Sequence, residues 1–389
     1  MEATYGILIV GGGICGLATA LALHRKGIAS IVLEKSETLR ADGAAIGIYV
    51  NGWRVLEQLG VAAELRETAN VITAHRNVWQ QGNKTTLVPI RNEFRCLKRK
   101  DLIETLANNI PVGSIRFGCH IVAIHEDPGT HGAVLTSVDG STIRAKVLIG
   151  CDGTNSVVAK YLGLSAPKTI PITVLRGFTN YQHGHPFEIE FLRLRGNGFF
   201  LGRLPITDNV VHFFVAMLNA STGAATDDAR AVKDLALEKL KEFPAEFADM
   251  VRDSEPGSQN VRPPWLVAFG AFQKGAVTVA GDAMHAMGPF IGQGGAAGLE
   301  DAVVLARALS RAAAGEPCGD DEKKKTVEAA IAEYARERRR RVAMLSLECF
   351  VMGTLLRAKS IVTKVACVAM LVLLGGKSLR HTNYDCGRL

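Results

Sequence analysis

Residues 4–34 read TYGILIVGGGICGLATALALHRKGIASIVLE, in which an apolar run, a glycine turn, a helix-like segment and a second apolar run follow one another. The apolar spacing predicts a strand at Tyr5–Val10, a helix at Ile14–Arg25 and a second strand at Ser30–Glu34. Two strands joined through a helix form a βαβ unit, in which the strands are parallel. The passage therefore predicts an α/β fold of the Rossmann-like type.

The glycine turn at 11–16 has the spacing that a bound dinucleotide requires. Its glycines permit a tight turn, close approach of the backbone to a pyrophosphate, and close packing of a helix whose N-terminus attracts phosphate. Glu34 lies 21 residues after Gly13, at the end of the next strand, where a carboxylate can accept both hydroxyls of an adenosine ribose. This pattern does not separate NAD from FAD. The candidate cofactor-binding residues of the passage are Gly11, Gly13, Ile14, Cys15, Gly16, Glu34 and Lys35.

A second glycine-rich passage, GDAMHAMGPFIGQGG at 281–295, follows the apolar run AVTVA at 276–280. An Asp at a strand end can accept hydrogen bonds from a polyol chain, and a glycine turn that opens a helix directs N–H groups and a positive dipole at an electron-rich ring. A flavin has both needs, because it carries a ribityl chain and a ring that becomes negative on reduction. The passage therefore favours FAD, with Asp282 as the candidate for the ribityl chain.

A third strand end carries CDGTNS at 151–156, after the apolar run KVLIG at 146–150. Asp152 at this junction is either a cofactor-binding residue or only the cap of its helix, because Asp is common at helix N-termini. The three strand ends are spread along much of the chain, which predicts one sheet assembled from distant segments with an insert between them.

Composition supports an ordinary globular protein of two or three domains. The chain has 389 residues, 48% of them hydrophobic and 21% charged, which excludes a disordered chain. A net charge of +7 does not indicate nucleic acid, and the basic run at 336–341 favours a solvated helix face over a phosphate- or membrane-binding patch. The eight cysteines lack metal-ligand spacing, so we predict no metal site and the reduced thiols of a cytoplasmic protein.

Neither end of the sequence carries a recognisable targeting pattern. The chain enters its first apolar strand without a basic leader, so we predict an untargeted protein. Val365–Leu374 is ten apolar residues long, short of the ~20 that a membrane-spanning helix needs. We expect a buried or interface helix there rather than membrane contact.

The three passages resemble, in order and spacing, those of the single-component FAD-dependent hydroxylases and epoxidases with the para-hydroxybenzoate hydroxylase fold. The likeness covers nearly the whole chain. Two further segments, GAAIGIYVNGWRVLEQLGV at 43–61 and RCLKRKDLIETL at 95–106, look most like plant flavin monooxygenases related to salicylate hydroxylase and zeaxanthin epoxidase.

The expected architecture is α/β, with a Rossmann-like parallel sheet that binds FAD, an inserted antiparallel-sheet substrate domain and C-terminal helices. The insert is expected from short strand-like runs such as GFFLGRL and NVVHFFVAM, which are bounded by turn residues. The predicted parts are a discontinuous FAD-binding domain at 1–72, 95–169 and 268–340, a substrate domain at 73–94 and 170–267, and a C-terminal helical segment at 341–389.

The resemblance also implies roles for individual residues. Glu34 holds the adenosine ribose, Arg99 reaches the FAD pyrophosphate, and Asp282 binds the ribityl chain and pyrophosphate region. Pro289 lies beside the flavin, whose pyrimidine edge meets the backbone of 292–296. The CDG motif is associated with FAD and NADPH together. The cofactor-binding candidates outside the first passage are Arg99, Asp152, Gly153, Gly281, Asp282, Pro289, Gly292, Gly294, Gly295 and Ala296.

The reaction that the resemblance implies is insertion of one oxygen atom. NADPH or NADH reduces FAD, O2 adds to the reduced ring, and the flavin hydroperoxide hydroxylates or epoxidises an apolar or aromatic small molecule. The alternatives are a flavin-dependent reductase or oxidase of the same fold, and a non-catalytic dinucleotide-fold binding protein.

Candidates for the substrate chemistry are few, and the catalytic residue stays unassigned. His212 and Arg203 could meet a phenolate or carboxylate, or could be merely exposed or hydrogen-bonded, and Pro289 is the third candidate. His285, inside the second glycine passage, is expected to be structural. In FEIEFLRL at 187–194, apolar and acidic residues alternate, so one strand face either lines the substrate pocket or belongs to the core.

Overall fold

The structure is a computed structural model that describes residues 3–39, 45–79, 84–127, 132–166, 168–169, 172–218, 229–254, 259–261, 264–265, 270–314, 320–375 and 380–389. The strands in these ranges are β1 (Ala3–Val10), β2 (Ile31–Leu33), β3 (Ala45–Ile48), β4 (Ala74–Trp79), β5 (Lys84–Pro89), β6 (Arg95–Lys98), β7 (Ile115–Arg116), β8 (Ile121–Glu126), β9 (Ala133–Ser137), β10 (Thr142–Gly150), β11 (Lys168–Thr169), β12 (Ile172–Asn180), β13 (Glu190–Gly196), β14 (Phe199–Pro205), β15 (Val210–Leu218), β16 (Gln259–Val261), β17 (Pro264–Trp265), β18 (Gln273–Lys274) and β19 (Val277–Val279). The α-helices are α1 (Ile14–Arg25), α2 (Val50–Leu59), α3 (Ala62–Glu67), α4 (Arg99–Asn108), α5 (Val157–Tyr161), α6 (Ala229–Leu240), α7 (Ala245–Arg252), α8 (Asp282–His285), α9 (Gly294–Ala313), α10 (Asp320–Arg357) and α11 (Ile361–Gly375). Short 3-10 helices lie at Pro289–Ile291 and Arg380–Asn383.

The predicted βαβ unit forms the centre of the first sheet, which we term the cofactor sheet. β1 pairs in parallel with β2 and β10, and β7 and β19 extend the sheet in parallel beyond them. The strand order is β18-β19-β10-β1-β2-β7, and β8, β9 and β18 join by antiparallel pairing. The prediction of one parallel sheet built from distant segments is confirmed, with antiparallel strands added because hairpins need only short turns.

Helix α1 is buried along nearly its whole length and packs against α9 in the largest apolar core. A helix that is apolar on all sides is buried on all sides. The apolar surface that α1 removes from water stabilises the junction between β1 and the glycine turn. The turn is therefore held between a buried strand and a buried helix.

A second sheet has the strand order β16-β12-β15-β14-β13-β4-β5 and is termed the substrate sheet. Its pairs are antiparallel except β13 with β4, which run parallel. The predicted antiparallel insert is confirmed with this exception, which arises because β4 comes from a separate segment far earlier in the chain. One sheet face packs against α6 and α7 around a second apolar core, and the other face borders the site described below.

Strand β13 begins at Glu190, so residues 187–189 of the passage with predicted alternation precede the strand. Leu192 and Leu194 point to the second core, while Phe191, two residues before Arg193, lies on the opposite face. Glu190 is buried and pairs with Arg76. The interpretation of 187–194 as a strand with one wholly apolar face is therefore wrong, because 187–189 precede the strand.

The C-terminal part is helical, as predicted. Helix α10 runs unbroken through the expected boundary between 340 and 341, and the division into domains stays a prediction. Within the basic run, Arg336, Arg339 and Arg340 are exposed, but Arg338 is fully buried. A wholly solvated face is therefore the wrong interpretation of the run, because every third or fourth residue turns inward along a helix.

Helix α11 contains the apolar run at 365–374 and is only partly covered. Ile361, Val362, Val365 and Leu373 are exposed, whereas Leu371 and Leu374 line the site. Among the described residues, no helix combines the length and the apolar character needed to cross a bilayer.

Candidate functional site

A cavity of about 1410 Å³ lies between the cofactor sheet, the substrate sheet and the C-terminal helices. Pockets for one small molecule usually measure about 300–1,000 Å³. This volume leaves room for a cofactor and a second ligand. Its walls contain the glycine turn at 11–15 and the second glycine passage at 288–295, together with one face of the substrate sheet.

The glycine turn at the start of α1 cannot accept larger residues. Gly11 has φ +104°, and a Cβ there would lie 2.4 Å from the Cys151 carbonyl oxygen. A Cβ on Gly16 would lie 1.9 Å from the Gly11 carbonyl oxygen, whereas Gly13 faces open space. Helix α1 has no side-chain cap on its first turn, so its N–H groups and positive dipole end face the cavity and suit a pyrophosphate.

Glu34 is 6% exposed at the end of β2 and borders the cavity. Its Oε2 accepts a hydrogen bond of 2.7 Å from the Gly12 N–H, and its Oε1 accepts one of 2.9 Å from the Ser36 N–H. Each carboxylate oxygen can accept more than one hydrogen bond. The carboxylate is therefore fixed in orientation and can still accept the hydroxyls of a ribose.

Arg99 and Asp282 both line the cavity, and their charges interact. Arg99 opens α4, and loss of hydration lowers the pKa of its guanidinium while the Asp282 charge opposes that shift. Gly281, before Asp282, has φ +61°, and a Cβ there would lie 2.8 Å from the Cys15 Cβ. The two glycine passages are thus in close contact, so that the first glycine turn and Asp282 face the same ligand.

Beneath the second glycine passage lies a buried charge network, whose first centre is Asp301 of α9. Its Oδ2 accepts from the Gly281 N–H at 2.8 Å and from His285 Nε2 at 2.6 Å, and its Oδ1 accepts from Arg338 Nε at 2.7 Å. Burial alone would raise the pKa of Asp301, but the charges of His285 and Arg338 bring it well below its usual range. Burial likewise opposes protonation of His285, yet Asp301 raises the pKa of His285 above its ordinary value. The expected structural role of His285 therefore has a geometric basis.

The second centre of the network is Glu300. Its carboxylate accepts from Arg338 Nη2 at 2.8 Å, from Arg341 Nη2 at 2.9 Å and from Asn51 Nδ2 at 2.9 Å. The same Asn51 amide donates to Gln293 Oε1 at 2.8 Å. Gln293 precedes the first residue of α9, so the network fixes the glycine-rich end of α9 from behind.

Asp152 caps its helix and also borders the cavity. Its carboxylate accepts from Ser156 Oγ at 2.5 Å and from the Val157 N–H at 2.7 Å, and Ser156 Oγ accepts from the Ala159 N–H. Burial raises the pKa of Asp152, and these hydrogen bonds oppose the rise. The capping alternative is thus present in the structure, and contact with a cofactor stays a prediction.

The predicted cofactor residues converge on this cavity. All of them line it except Gly16 and Ala296. Gly16 serves the close packing of α1 described above, and Ala296 lies on α9 facing α2, where a Cβ on Gly52 would lie 3.7 Å from the Ala296 Cβ.

The three candidate residues for the substrate chemistry do not all lie at the cavity. His212 and Pro289 line the cavity, but Arg203 does not. Arg203 is buried on the other face of the substrate sheet, 3.7 Å from the Phe187 ring centre, and it pairs with Glu246 at 3.2 Å. A direct role for Arg203 toward a substrate in this cavity is contradicted by its position, because alternate residues of β14 face opposite sides.

Sequence reasoning missed the polar residues of the substrate wall. Arg176, Arg193 and Arg195 line the cavity, and Tyr49 lies on the same wall, stacked on Phe94 at a ring-centre distance of 4.1 Å. The alternation L-R-L-R at 192–195 was the available signal. It predicts arginines facing water, whereas here they face a cavity.

Comparison with known proteins identifies the family. The sequence model described as "FAD binding domain" matches residues 4–345, most of the chain. The chain belongs to the FAD-dependent group A monooxygenases. It is 45% identical to Monooxygenase 1 of Arabidopsis thaliana, with 99% of each chain covered, and 34% identical to Monooxygenase 2 of the same plant, covering 100% of this chain and 99% of that one.

Solved structures share the fold of this monooxygenase. HpxO of Klebsiella pneumoniae, complexed with FAD and uric acid, superposes with a TM-score of 0.80 at 22% identity, over 98% of this chain and 96% of that one. The cradle described above fits FAD, because open glycine backbone, an oriented carboxylate and a helix N-terminus line one continuous wall.

Proposed function

We propose that this monooxygenase uses NADPH or NADH together with O2 to hydroxylate a small aromatic molecule, bound between the substrate sheet and the C-terminal helices. The observation that carries the proposal is a single cavity whose one part is the FAD cradle and whose other part is an aromatic wall. Bound FAD supplies the electron transfer and the oxygen chemistry, for which protein side chains alone have no means.

The aromatic wall supports an aromatic substrate. Phe191, Phe200 and Phe214 line the cavity from three neighbouring strands, with ring-centre distances of 6.3 Å for Phe191 to Phe214 and 5.6 Å for Phe200 to Phe214. Such rings favour offset or edge-to-face contact with another ring. Leu371 and Leu374 of α11 add apolar cover and keep water from this part of the cavity.

We assign His212 as the hydrogen-bond acceptor for a hydroxyl group of the substrate. Its Nδ1 lies 2.9 Å from the Gly177 carbonyl oxygen, which can only accept, so Nδ1 carries the proton and Nε2 keeps a lone pair. Burial lowers the pKa of His212 to about 4, so the ring is neutral at neutral pH. A base this weak orients a hydroxyl without removing its proton for long.

The test is oxidation of NADPH and of NADH in air by the FAD-loaded protein, with and without a panel of phenols, aromatic acids and terpenoids. We expect an aromatic compound to stimulate oxidation and to gain one oxygen atom, measured by mass spectrometry with 18O2. A terpenoid epoxide would replace the aromatic proposal. Reduction or dehydrogenation of a compound without added oxygen would replace oxygen insertion by a reductase or oxidase reaction.

The same proposal includes a cytoplasmic location without membrane contact. It is supported by the cysteines, which are scattered along the sequence as is usual for reduced thiols. The exposed apolar residues of α11 make a direct check worthwhile: the full-length protein should remain in the supernatant when vesicles of neutral or anionic phospholipid are pelleted. Co-sedimentation that is lost on Ile361→Ser and Val365→Ser substitution would refute this part.

A further inference from the structure

Two thiols meet in the FAD cradle, where the end of one strand faces the first turn of a helix. Cys15 is the second residue of α1, and Cys151 directly follows β10. Their Sγ atoms lie 3.8 Å apart although 136 positions separate the residues in sequence, and both residues line the cavity. In the described part of the chain, every cysteine is a free thiol. The pair is therefore in contact and reduced.

The backbone of the cofactor sheet brings the two cysteines together. The Cys151 N–H donates to the Val10 carbonyl at 2.7 Å, so Cys151 continues the pairing of β10 with β1. A Cβ on Gly16, the residue after Cys15, would lie 3.3 Å from the Cys151 Cβ. A disulfide would bring the sulfur atoms from 3.8 Å to about 2.05 Å. Side-chain rotation and a small movement of the first turn of α1 would be enough for this approach.

The surroundings of Cys15 favour the reduced state of the pair under ordinary conditions. The Cys151 thiol and burial raise the pKa of Cys15 well above its ordinary value. Because the thiolate is the nucleophile in thiol oxidation, this raised pKa slows the reaction with mild oxidants. Cys15 is half-buried and borders the cavity, whereas Cys151 is 8% exposed. A small, strong oxidant therefore reaches Cys15 first, through the cavity.

The glycines of the FAD cradle are packed tightly against both cysteines. A Cβ on Gly281 would lie 2.8 Å from the Cys15 Cβ, and a Cβ on Gly11 would lie 2.4 Å from the Cys151 carbonyl oxygen. A movement of Cys15 toward Cys151 therefore displaces the first turn of α1, whose N–H groups face the cavity and suit a pyrophosphate. Formation of a disulfide would thus change the part of the cradle that holds the cofactor phosphates.

We propose that Cys15 and Cys151 form a redox-sensitive site, which hydrogen peroxide converts to a disulfide, and that this disulfide weakens FAD binding. The Cys15 sulfur attacks one peroxide oxygen, the O–O bond breaks, and a sulfenic acid and water result. The Cys151 thiol then attacks the sulfenic sulfur, the S–O bond breaks, and the disulfide and a second water form. The two sulfur atoms lose two electrons to the peroxide, and both thiol protons end in water.

This inference goes beyond the proposed reaction, because no step of it needs NADPH, NADH or a substrate. Its failure is therefore separate from a failure of the proposed hydroxylation. Disulfides of cytosolic proteins are usually transient, because cellular thiols reduce them. The expected effect is a reversible loss of the cofactor under oxidising conditions.

The test follows the thiols and the cofactor together in the FAD-loaded protein. The protein is treated with hydrogen peroxide and digested without reductant, and mass spectrometry detects a linked Cys15–Cys151 peptide while flavin fluorescence reports released FAD. We expect the link to form, the FAD dissociation constant to rise about tenfold because the hydrogen bonds to the pyrophosphate weaken, and dithiothreitol to reverse both changes. Absence of the link, or a link that leaves the dissociation constant unchanged, would overturn the proposal.

A second measurement needs no variant, because the coupling between two sites is reciprocal. If the disulfide weakens FAD binding tenfold, raising the FAD concentration must make the disulfide easier to reduce, by up to about 30 mV. Redox titration in glutathione buffers at increasing FAD concentration measures this shift. A midpoint potential that does not change with FAD would contradict the coupling.

Variants locate the site. Cys151→Ala and Cys15→Ala each remove one thiol, and neither should lose FAD affinity on treatment with peroxide; flavin absorbance and melting temperature before treatment confirm that they fold. Cys119→Ala is the matched control, because Cys119 borders the same cavity but its Sγ contacts the Phe117 carbonyl rather than a second thiol. It should keep the full response to peroxide. If Cys119→Ala abolishes the response, or Cys151→Ala retains it, oxidation elsewhere releases FAD and the proposal fails.

Discussion

The buried charges of the cofactor side and those of the substrate wall are arranged in opposite ways. Beneath the FAD cradle, Arg338 and Arg341 face the carboxylates of Glu300 and Asp301 at 2.7–3.1 Å. On the substrate sheet, the half-buried Arg193 and Arg195 lie instead against neutral groups, the His75 ring and the rings of Trp79 and Phe200. Charges that neutralise one another within the protein need no further partner, whereas uncompensated charges of one sign attract a ligand of the other.

Two buried histidines repeat this contrast. His285 lies beside Asp301, which raises its pKa, while His212 lies beside a backbone carbonyl and near Arg176, and burial lowers its pKa to about 4. The same side chain is therefore stabilised as a cation in one region and as a neutral ring in the other.

The largest effect on stability is expected when one carboxylate is removed from the charge network around Asp301 and Arg338. Asp301→Asn leaves Arg338 and His285 buried beside an uncharged amide, and loss of one partner from a buried ion pair typically costs about 3–5 kcal/mol of unfolding free energy. Urea unfolding at fixed FAD concentration measures this loss. The control is Asp249→Asn, whose carboxylate is exposed and pairs with Arg252. Similar midpoints for the two variants would show that the network does not stabilise the fold.

A smaller effect follows from the neutral histidine of the substrate wall. Because the pKa of His212 falls from 6.5 in the unfolded chain to about 4 in the folded one, its contribution is complete above pH 6.5 and is lost as the pH falls toward 4. The limit of this loss is about 3 kcal/mol. His212→Gln should flatten the decline of unfolding free energy between pH 6.5 and 4, measured by urea titration.

His285 is the control for that pH series, because its pKa is raised. Its contribution is present below pH 6.5 and declines as the pH rises through its folded pKa. His285→Gln should therefore change stability most in acid and progressively less in alkali. The same pH profile for both variants would contradict the opposite assignments.

The FAD cradle should show an effect of about tenfold. Arg99→Ala removes the half-buried cation of the cradle, and loss of a charged hydrogen-bonding group should raise the FAD dissociation constant about tenfold. Fluorescence of released flavin gives this constant. Lys100→Ala, on the same turn but 61% exposed, should bind FAD as the unmodified protein does. An unchanged constant for Arg99→Ala would make Arg99 a structural residue only.

The smallest effect on stability is expected for an exposed arginine of the basic run at 336–341, in contrast to the buried arginine of the same run. Arg340→Ala removes an exposed arginine two residues from the buried Arg338, and it should change the unfolding free energy by less than about 0.5 kcal/mol. Arg338→Met should be as harmful as Asp301→Asn. A large loss for Arg340→Ala would mean that exposure does not separate the two roles in this run.

The cofactor side could be predicted from sequence because its geometry is local. Gly11, Gly13 and Gly16 lie within six residues, and the strand that follows brings Glu34 to them by βαβ connectivity alone. The junctions at Asp152 and Asp282 were found in the same way, since parallel strands present their ends at one edge.

The substrate wall and the network could not be predicted, because they depend on pairings between distant segments. Arg176 and Arg193 meet one cavity only through β14 and β15, which lie between their strands in the sheet. The network joins Asn51 to Glu300 across 249 positions. Spacing along α10 was a partial signal, since Tyr334, Arg338 and Leu345 share one helix face and are all buried.

Helix α10 has a consequence for how this enzyme could change its substrate during evolution. The middle of the helix inserts Arg338 into the network, and a later stretch presents Met344, Met352 and Leu356 to the cavity. Because a helix is stiff, the position of Arg338 in the network sets the position of the cavity-facing stretch that follows it. Mutations at Met344 and Met352 can therefore change the shape of the pocket for a new compound without displacing the cofactor. The same helix thus carries both the residue that fixes the fold around the cofactor and the residues that can vary with the substrate.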